Sequence, residues 1–228
     1  MSEPNTLEEQ VKSFAVDVVT RIRACLEGES DAHDVEVDAS PDGSRFTFKY
    51  SQPLRAEGRG APVGHLKLHY ALGVDRSGEY LAVLESSFKL HDKRGNTPIV
   101  RIEYVRDPRH VPCSHIHVHA QSGNLTQLLA ACGHNSPAAV ESVHIPTGGD
   151  RFRPCVEDFV EFLVTECGIA ANKGWRDQVI EGREEWRKKQ TAAAVRDRPE
   201  EAIRVLESLG LQVNGTLPEG RPSARSRY

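Results

Sequence analysis

The chain has 228 residues, 38% of them hydrophobic and 27% charged, with a formal net charge of −4. That suits a globular chain with a sizeable core and excludes the strongly basic balance of a dedicated DNA binder. No apolar run approaches the roughly 18 residues needed to cross a bilayer, and the acidic opening MSEPNTLEEQ lacks the basic start and apolar stretch of a signal peptide, so a soluble cytoplasmic protein without membrane contact is expected.

The charge is uneven. Residues 1–43 carry 3 Lys/Arg against 11 Asp/Glu, whereas residues 171–228 carry 12 against 9, an asymmetry that suits a docking surface. Five scattered cysteines, Cys25, Cys113, Cys132, Cys155 and Cys167, form no CxxC pair and are read as reduced thiols.

From Leu7 to Leu26 the apolar residues Leu7, Val11, Phe14, Val18, Ile22 and Cys25 recur at three- and four-residue steps, which predicts an amphipathic helix. After Gly28 the period becomes two. Val35 and Val37 alternate with acidic residues, and Phe46 and Phe48 alternate with polar ones beyond the Asp42-Gly43 turn, giving a hairpin. Ser51 to Gly64, rich in Gly, Pro and Arg, is expected to be an irregular loop. HLKLHY, GEYLAVLESSFKLHD and TPIVRIEYVRD then resume the alternation, with turns at Asp75–Gly78 and Asp92–Thr97, and CSHIHVHA supplies a last strand.

Beyond Gly123 the spacing becomes helical at about 125–132, 154–167, 174–195 and 199–209. Asn124 with Gln127 resembles a capping box, and Pro154 and Pro199 suit first turns. Strands grouped before helices predict an α+β fold, with an N-terminal helix, an antiparallel sheet of about five or six strands and C-terminal helices. The expected organisation is an α+β domain over 1–170, a helical hairpin over 171–212 that offers a surface for homodimerisation, and a disordered tail over 213–228.

The chemistry concentrates in CSHIHVHAQSG, residues 113–123, where His115, His117 and His119 occupy every second position. On a strand they form a row on one face, about 6.6–6.8 Å apart. Extending the alternation adds His65, Lys67 and His69, then Glu85, Ser87, Lys89 and His91, then Arg101 and Glu103, so that six of the ten histidines share this polar face. One sheet face is ordinarily solvated, yet imidazole is also the side chain that exchanges protons near neutrality and ligates metals.

Three readings stay open. An HxH pair can reach one ion, whereas the outer two of three lie about 13 Å apart by strand rise, so a metal such as zinc would use one pair plus a further ligand; His117, His119 and His91 form one such set, with Glu85 or Glu103 as other donors. A second inventory, Cys113-x-His115 with Cys132-x-His134, would be a structural zinc site of unusual spacing. Without metal, His115, His117 and His119 could run acid-base cleavage of a phosphodiester, with Lys89 and Arg101 stabilising charge and Glu85 or Glu103 orienting an imidazole. The start of the helix after Asn124, and the arginines of PTGGDRFRP at 146–154, are further candidate anion contacts.

HIPTGGDRFRPCVEDFVEFLVTECGI, GWRDQVIEGREEWRKKQ and AAVRDRPEEAIRVLESLG resemble an uncharacterised family of high-GC bacterial proteins, which implies no activity. IVRIEYVRD leading into PRHVPCSHIHVHA resembles bacterial toxin-antitoxin toxins with a histidine-rich strand, which implies an RNA target and a protein partner over residues 99–120. The sequence therefore supports a phosphodiester hydrolase, and beside it a non-enzymatic protein-binding module or a metal-binding protein.

Overall fold

The structure, a computed structural model, describes residues 6–28, 34–75, 78, 80–94, 98–119, 123–133, 135–149 and 151–216. Helix α1 (Leu7–Cys25) is followed by strands β1 (Val35–Ala39), β2 (Phe46–Leu54), β3 (Gly64–Val74), β4 (Leu81–Asp92), β5 (Pro98–Val105) and β6 (Ser114–Val118). Helix α2 (Gly123–Ala131), a short strand β7 (Ile145–Pro146) and helices α3 (Val156–Thr165), α4 (Trp175–Asp197) and α5 (Pro199–Ser208) complete the α+β arrangement. The seven strands form one antiparallel sheet in chain order, each paired with its predecessor.

Local chemistry sets the boundaries. The Thr6 hydroxyl accepts the Glu9 N–H and the Glu9 carboxylate accepts the Thr6 N–H, so α1 starts on a reciprocal cap. In the first hairpin Gly43 takes φ +66°, and the Asp42 carboxylate accepts bonds from the Ser40 and Ser44 hydroxyls and from the Ser44 N–H. Those contacts draw the Asp42 carboxyl from its ordinary 3.8 down to about 2, chiefly through Ser40 and Ser44. The Asp75–Gly78 and Asp92–Thr97 turns fall partly outside the described residues.

The sheet is longer than its alternation suggests in two places. Residues 51–54, expected in a loop, continue β2 opposite β3, with Gln52 and Leu54 fully buried. Pro53 is accommodated because β1 pairs β2 only as far as Tyr50, leaving this stretch of β2 at the sheet edge. The seventh strand, β7, is only two residues long. α2 opens at Gly123, which puts Asn124 inside its first turn, and α3 opens at Val156, so Pro154 precedes the helix.

Helices α1, α3 and α4 pack together, α1 covers β2, β3 and β4, and the core lies between. Phe48 stacks on Tyr70, Phe14 meets both edge-on, and Tyr70, Phe88 and Phe159 continue the series from sheet to α3. Each such ring contributes about 1.5–3 kcal/mol through burial. The connection from α3 to α4 is bound into this body. The Asn172 amide donates to the carbonyls of Arg23 and Leu26, and the expected boundary at 170/171 runs through this bonded seam; Val179 of α4 lies in the same core. Among the described residues no helix is long and apolar enough to cross a membrane. Residues 217–228 of the expected tail lie outside the described residues.

Candidate metal centre on the histidine face

The face opposite the helices carries the expected polar residues in two cross-strand rows. Lys67, Lys89, Arg101 and His117 are successive register partners across β3 to β6, and His69, Ser87, Glu103 and His115 form the adjacent row. Because register partners on neighbouring strands share a face, Arg101 and Glu103 stand directly beside the two β6 histidines.

This end of the face is not wet. His115 and His117 are each only 2% exposed, whereas Val118 on the opposite side of β6 is 37% exposed. The cause is a strap from Val140 to Thr147. Its 3-10 turn at Val140–Ser142 packs on β6, β7 pairs with His115 and Ile116, and the Thr147 N–H donates to the Ser114 carbonyl at 2.9 Å. The strap brings in His144, a residue the strand pattern does not point to.

His115, His117 and His144 form a nearly equilateral triangle, with ring centroids 4.8, 4.7 and 4.6 Å apart and mutually tilted planes. One ring nitrogen from each lies within 4.8 Å of the other two, and among the described residues no other group of histidine, cysteine or carboxylate donors converges in this way. Two rings are fixed from behind. His115 Nδ1 lies 2.7 Å from the Pro112 carbonyl and His117 Nδ1 lies 2.7 Å from the Glu141 carbonyl. A carbonyl oxygen can only accept, so both Nδ1 atoms donate and each neutral ring presents its Nε2 lone pair forward.

Those Nε2 atoms face a carboxylate. Glu103 Oε2 is 3.6 Å from His115 Nε2 and 3.3 Å from His117 Nε2, and His117 Nε2 is buried without a hydrogen bond. Arg101 Nε pairs with the same oxygen at 3.0 Å, while Ser87 Oγ donates to the other carboxylate oxygen at 3.2 Å. Burial first of all, then Arg101 and the neighbouring imidazoles, lowers the His117 pKa, against the Glu141 carbonyl that raises it. Burial and His115 likewise lower that of His144. Neutral imidazole, the form that binds metal, is thereby favoured.

Of the residues singled out in the sequence, His115, His117, Arg101 and Glu103 come together here. Lys89 stands one strand further away, opposite Arg101. Glu85 pairs with Val105 and is exposed, two residues along β4 from Ser87. His119 lies past the end of β6, where its N–H donates to the Ile99 carbonyl, and His91 sits on β4 opposite Pro98; neither joins the triangle. In the Cys₂His₂ set Cys113 is buried and Cys132 exposed, and His134 lies outside the described residues. The arginines of the 146–154 segment are engaged structurally, Arg151 with Asp197 and Arg153 over the Tyr104 ring at 4.0 Å.

No family model matches the chain, and neither a curated protein nor a solved structure shows significant similarity to it.

Proposed function

We propose that the protein is a metal-dependent hydrolase of phosphodiesters, with His115, His117 and His144 as ligands of a divalent ion such as zinc. The observation that carries this reading is the convergence of buried acceptors: two Nε2 lone pairs, locked forward by their Nδ1 hydrogen bonds, and the Glu103 carboxylate all point at one another. Arg101 Nε meets Glu103 Oε2 at 3.0 Å and leaves the buried His117 Nε2 without a hydrogen bond, which a metal ion among these acceptors would satisfy. Tetrahedral zinc needs ligand nitrogens about 3.3 Å apart, from metal-nitrogen bonds of roughly 2.0–2.1 Å. Closure from the observed spread of up to 4.8 Å asks for an inward shift of up to about 1.5 Å between ligand nitrogens.

A three-histidine set leaves one position open, which is the pattern of catalytic rather than structural zinc. The ion when bound supplies Lewis acidity toward a phosphoryl oxygen and toward water. Glu103 is placed to take the proton from that water, held in orientation by Ser87 and Arg101. Water adds to phosphorus, the bond from phosphorus to the leaving oxygen breaks, and the proton held by Glu103 passes to that oxygen. Arg101 beside His117, and Lys89 beyond it, favour a phosphoryl group over a neutral substrate.

The test is elemental analysis and zinc titration of wild type and His117→Ala, with hydrolysis of bis(p-nitrophenyl) phosphate followed in parallel. One ion per chain, lost in the variant, with hydrolysis abolished by chelator and restored by metal, is expected. A wild-type protein that binds no divalent ion removes the proposal. One that binds zinc but cleaves no phosphodiester leaves a structural site.

A further inference from the structure

Next to the histidine triangle, on the same face, lies a cavity of about 450 Å³ over β2, β3 and β4. Its lining includes Lys49, Lys67, Lys89, His69, His91 and Ser51. Lys49 is paired with Glu36 at 2.9 Å, and Asp34 also lies at the β1 end of the cavity, so positive charge in the lining is weighted toward Lys89, the side nearest the triangle.

The register fixes how cavity and triangle relate. Neighbouring strands are about 4.8 Å apart, which puts Lys89 about 10 Å from His117 and Lys67 about 14 Å from it, with Arg101 between. A row of basic side chains, its Arg101 step paired with Glu103, thus leads from the triangle into the cavity, across the strands.

We infer that this cavity is a nucleotide subsite, and that the substrate is a single-stranded nucleic acid whose scissile phosphate sits at the triangle while the adjoining nucleotide enters the cavity. The inference rests on the hydrolase reading and extends it. Three features support it. The volume falls within the roughly 300–1,000 Å³ of small-ligand pockets and suits one nucleotide. The imidazole of His69, only partly buried, offers an aromatic ring on which a base can stack, and Lys89 and Lys67 offer point charges to a flanking phosphate. A base held in a duplex is stacked between its neighbours and cannot enter such a cavity without being flipped out, so an unpaired strand is favoured.

The experiment uses the full chain in chelator, so that nothing is cleaved, with a fluorescein-labelled hexauridylate, its deoxythymidine counterpart and a duplex of the same length as probes, read by anisotropy. One or both single strands bind, and the duplex binds at least tenfold more weakly. Lys67→Ala and Lys89→Ala each weaken single-strand binding and each reduce the slope of log K against log salt by about 0.7. His69→Ala weakens it at least fivefold through lost stacking. Thermal melts of each variant confirm that it is folded, and Lys89→Gln serves as a second, milder test of the same charge. Equal affinity for duplex and single strand, or a salt slope untouched by both lysine variants, overturns the inference. Single-strand binding with these dependences in a protein that takes up no zinc keeps the subsite and discards the hydrolase reading; zinc uptake without oligonucleotide binding does the reverse.

Discussion

The two faces of this sheet are made from the same alternating strands and are both buried where they matter, but they are buried in different ways. Under the helices the strands present Phe48, Tyr70 and Phe88 to other apolar side chains, and the contacts of Phe14 and Phe159 are satisfied by shape alone. Under the strap they present His115 and His117, whose burial demands a partner for every polar atom. The structure supplies one for each Nδ1 and leaves both Nε2 atoms aimed at a carboxylate. The helical face is a source of stability, and the strap face carries polar desolvation at the histidine triangle for which a metal site is proposed.

The contrast is broken most forcefully on the helical side. Phe159, fully buried on α3 against Phe88 and Phe162, should lose about 3–5 kcal/mol on truncation to alanine, through lost transfer free energy and the cavity left behind. Urea denaturation measures this directly. Zinc uptake by the folded fraction of Phe159→Ala should match wild type, and a proportional loss of uptake would show the two faces to be coupled.

On the strap side the corresponding effect is set by the proposed metal. Zinc at a hundredfold excess over its Kd should stabilise wild type by about 2.7 kcal/mol, and His144→Ala should abolish most of that gain while shifting the melting of the chelated protein far less. His144 is the suitable probe because it is only partly buried and no backbone hydrogen bond fixes its ring in the way that Pro112 and Glu141 fix the other two. Equal zinc stabilisation of the two proteins would place the ion elsewhere.

A smaller effect tests the exception on the helical side. Gly182 of α4 lies over Glu157, a carboxylate only 7% exposed; a Cβ there would stand 2.5 Å from Glu157 Oε1, 2.9 Å from its Cγ and 2.9 Å from Arg21 Nη1. Alanine ordinarily improves a helix by about 1 kcal/mol over glycine. Here the displacement of a buried charged group should outweigh that gain, for a net loss of about 1–2 kcal/mol in urea unfolding. A more stable Gly182→Ala would mean that Glu157 moves freely and that this junction is less tightly packed than the aromatic core.

How much of each face could be read from the sequence follows from how local its determinants are. Period-two alternation is a property of adjacent residues, so the helical face, the row of His115 and His117 and its neighbours Arg101 and Glu103 were all legible. That strand rise keeps three histidines in a row from converging, so that any third donor beside an HxH pair must come from elsewhere, was legible too. Which residue completes the triangle was not. His144 reaches the triangle only because a two-residue strand pairs with β6 and a single 3-10 turn places the Glu141 carbonyl behind His117, and neither has a periodicity to detect. The same strap reversed the expected exposure, burying the histidines while Val118 faces solvent. Residues 51–54 were missed for a related reason: glycine, proline and arginine mark a loop locally, and only the early end of β1 makes room for Pro53 in a strand.

The smallest predicted effects separate regions by pH. His69, in the cavity, has its pKa lowered from the ordinary 6.5 by burial and then by Lys89, and the Asp42 carboxyl in the β1–β2 turn is lowered from 3.8 to about 2 by its hydroxyl and amide donors. For a depressed histidine the unfolded chain binds the proton first, so stability falls as pH drops below about 6.5 and levels once the folded ring also protonates. For the depressed aspartate, the stabilisation is fully present above pH 3.8 and is lost as pH falls toward 2, where the folded carboxyl is protonated as well. His69→Gln should therefore flatten the stability profile just below pH 6.5 without altering its acid end. Asp42→Asn should lower stability at neutral pH, by a small amount because the turn is exposed, with the deficit closing only between pH 4 and 2. Urea midpoints across that range decide the matter. An Asp42→Asn deficit already closed at pH 5 would mean that the turn draws its stability from backbone geometry at Gly43 rather than from the carboxylate.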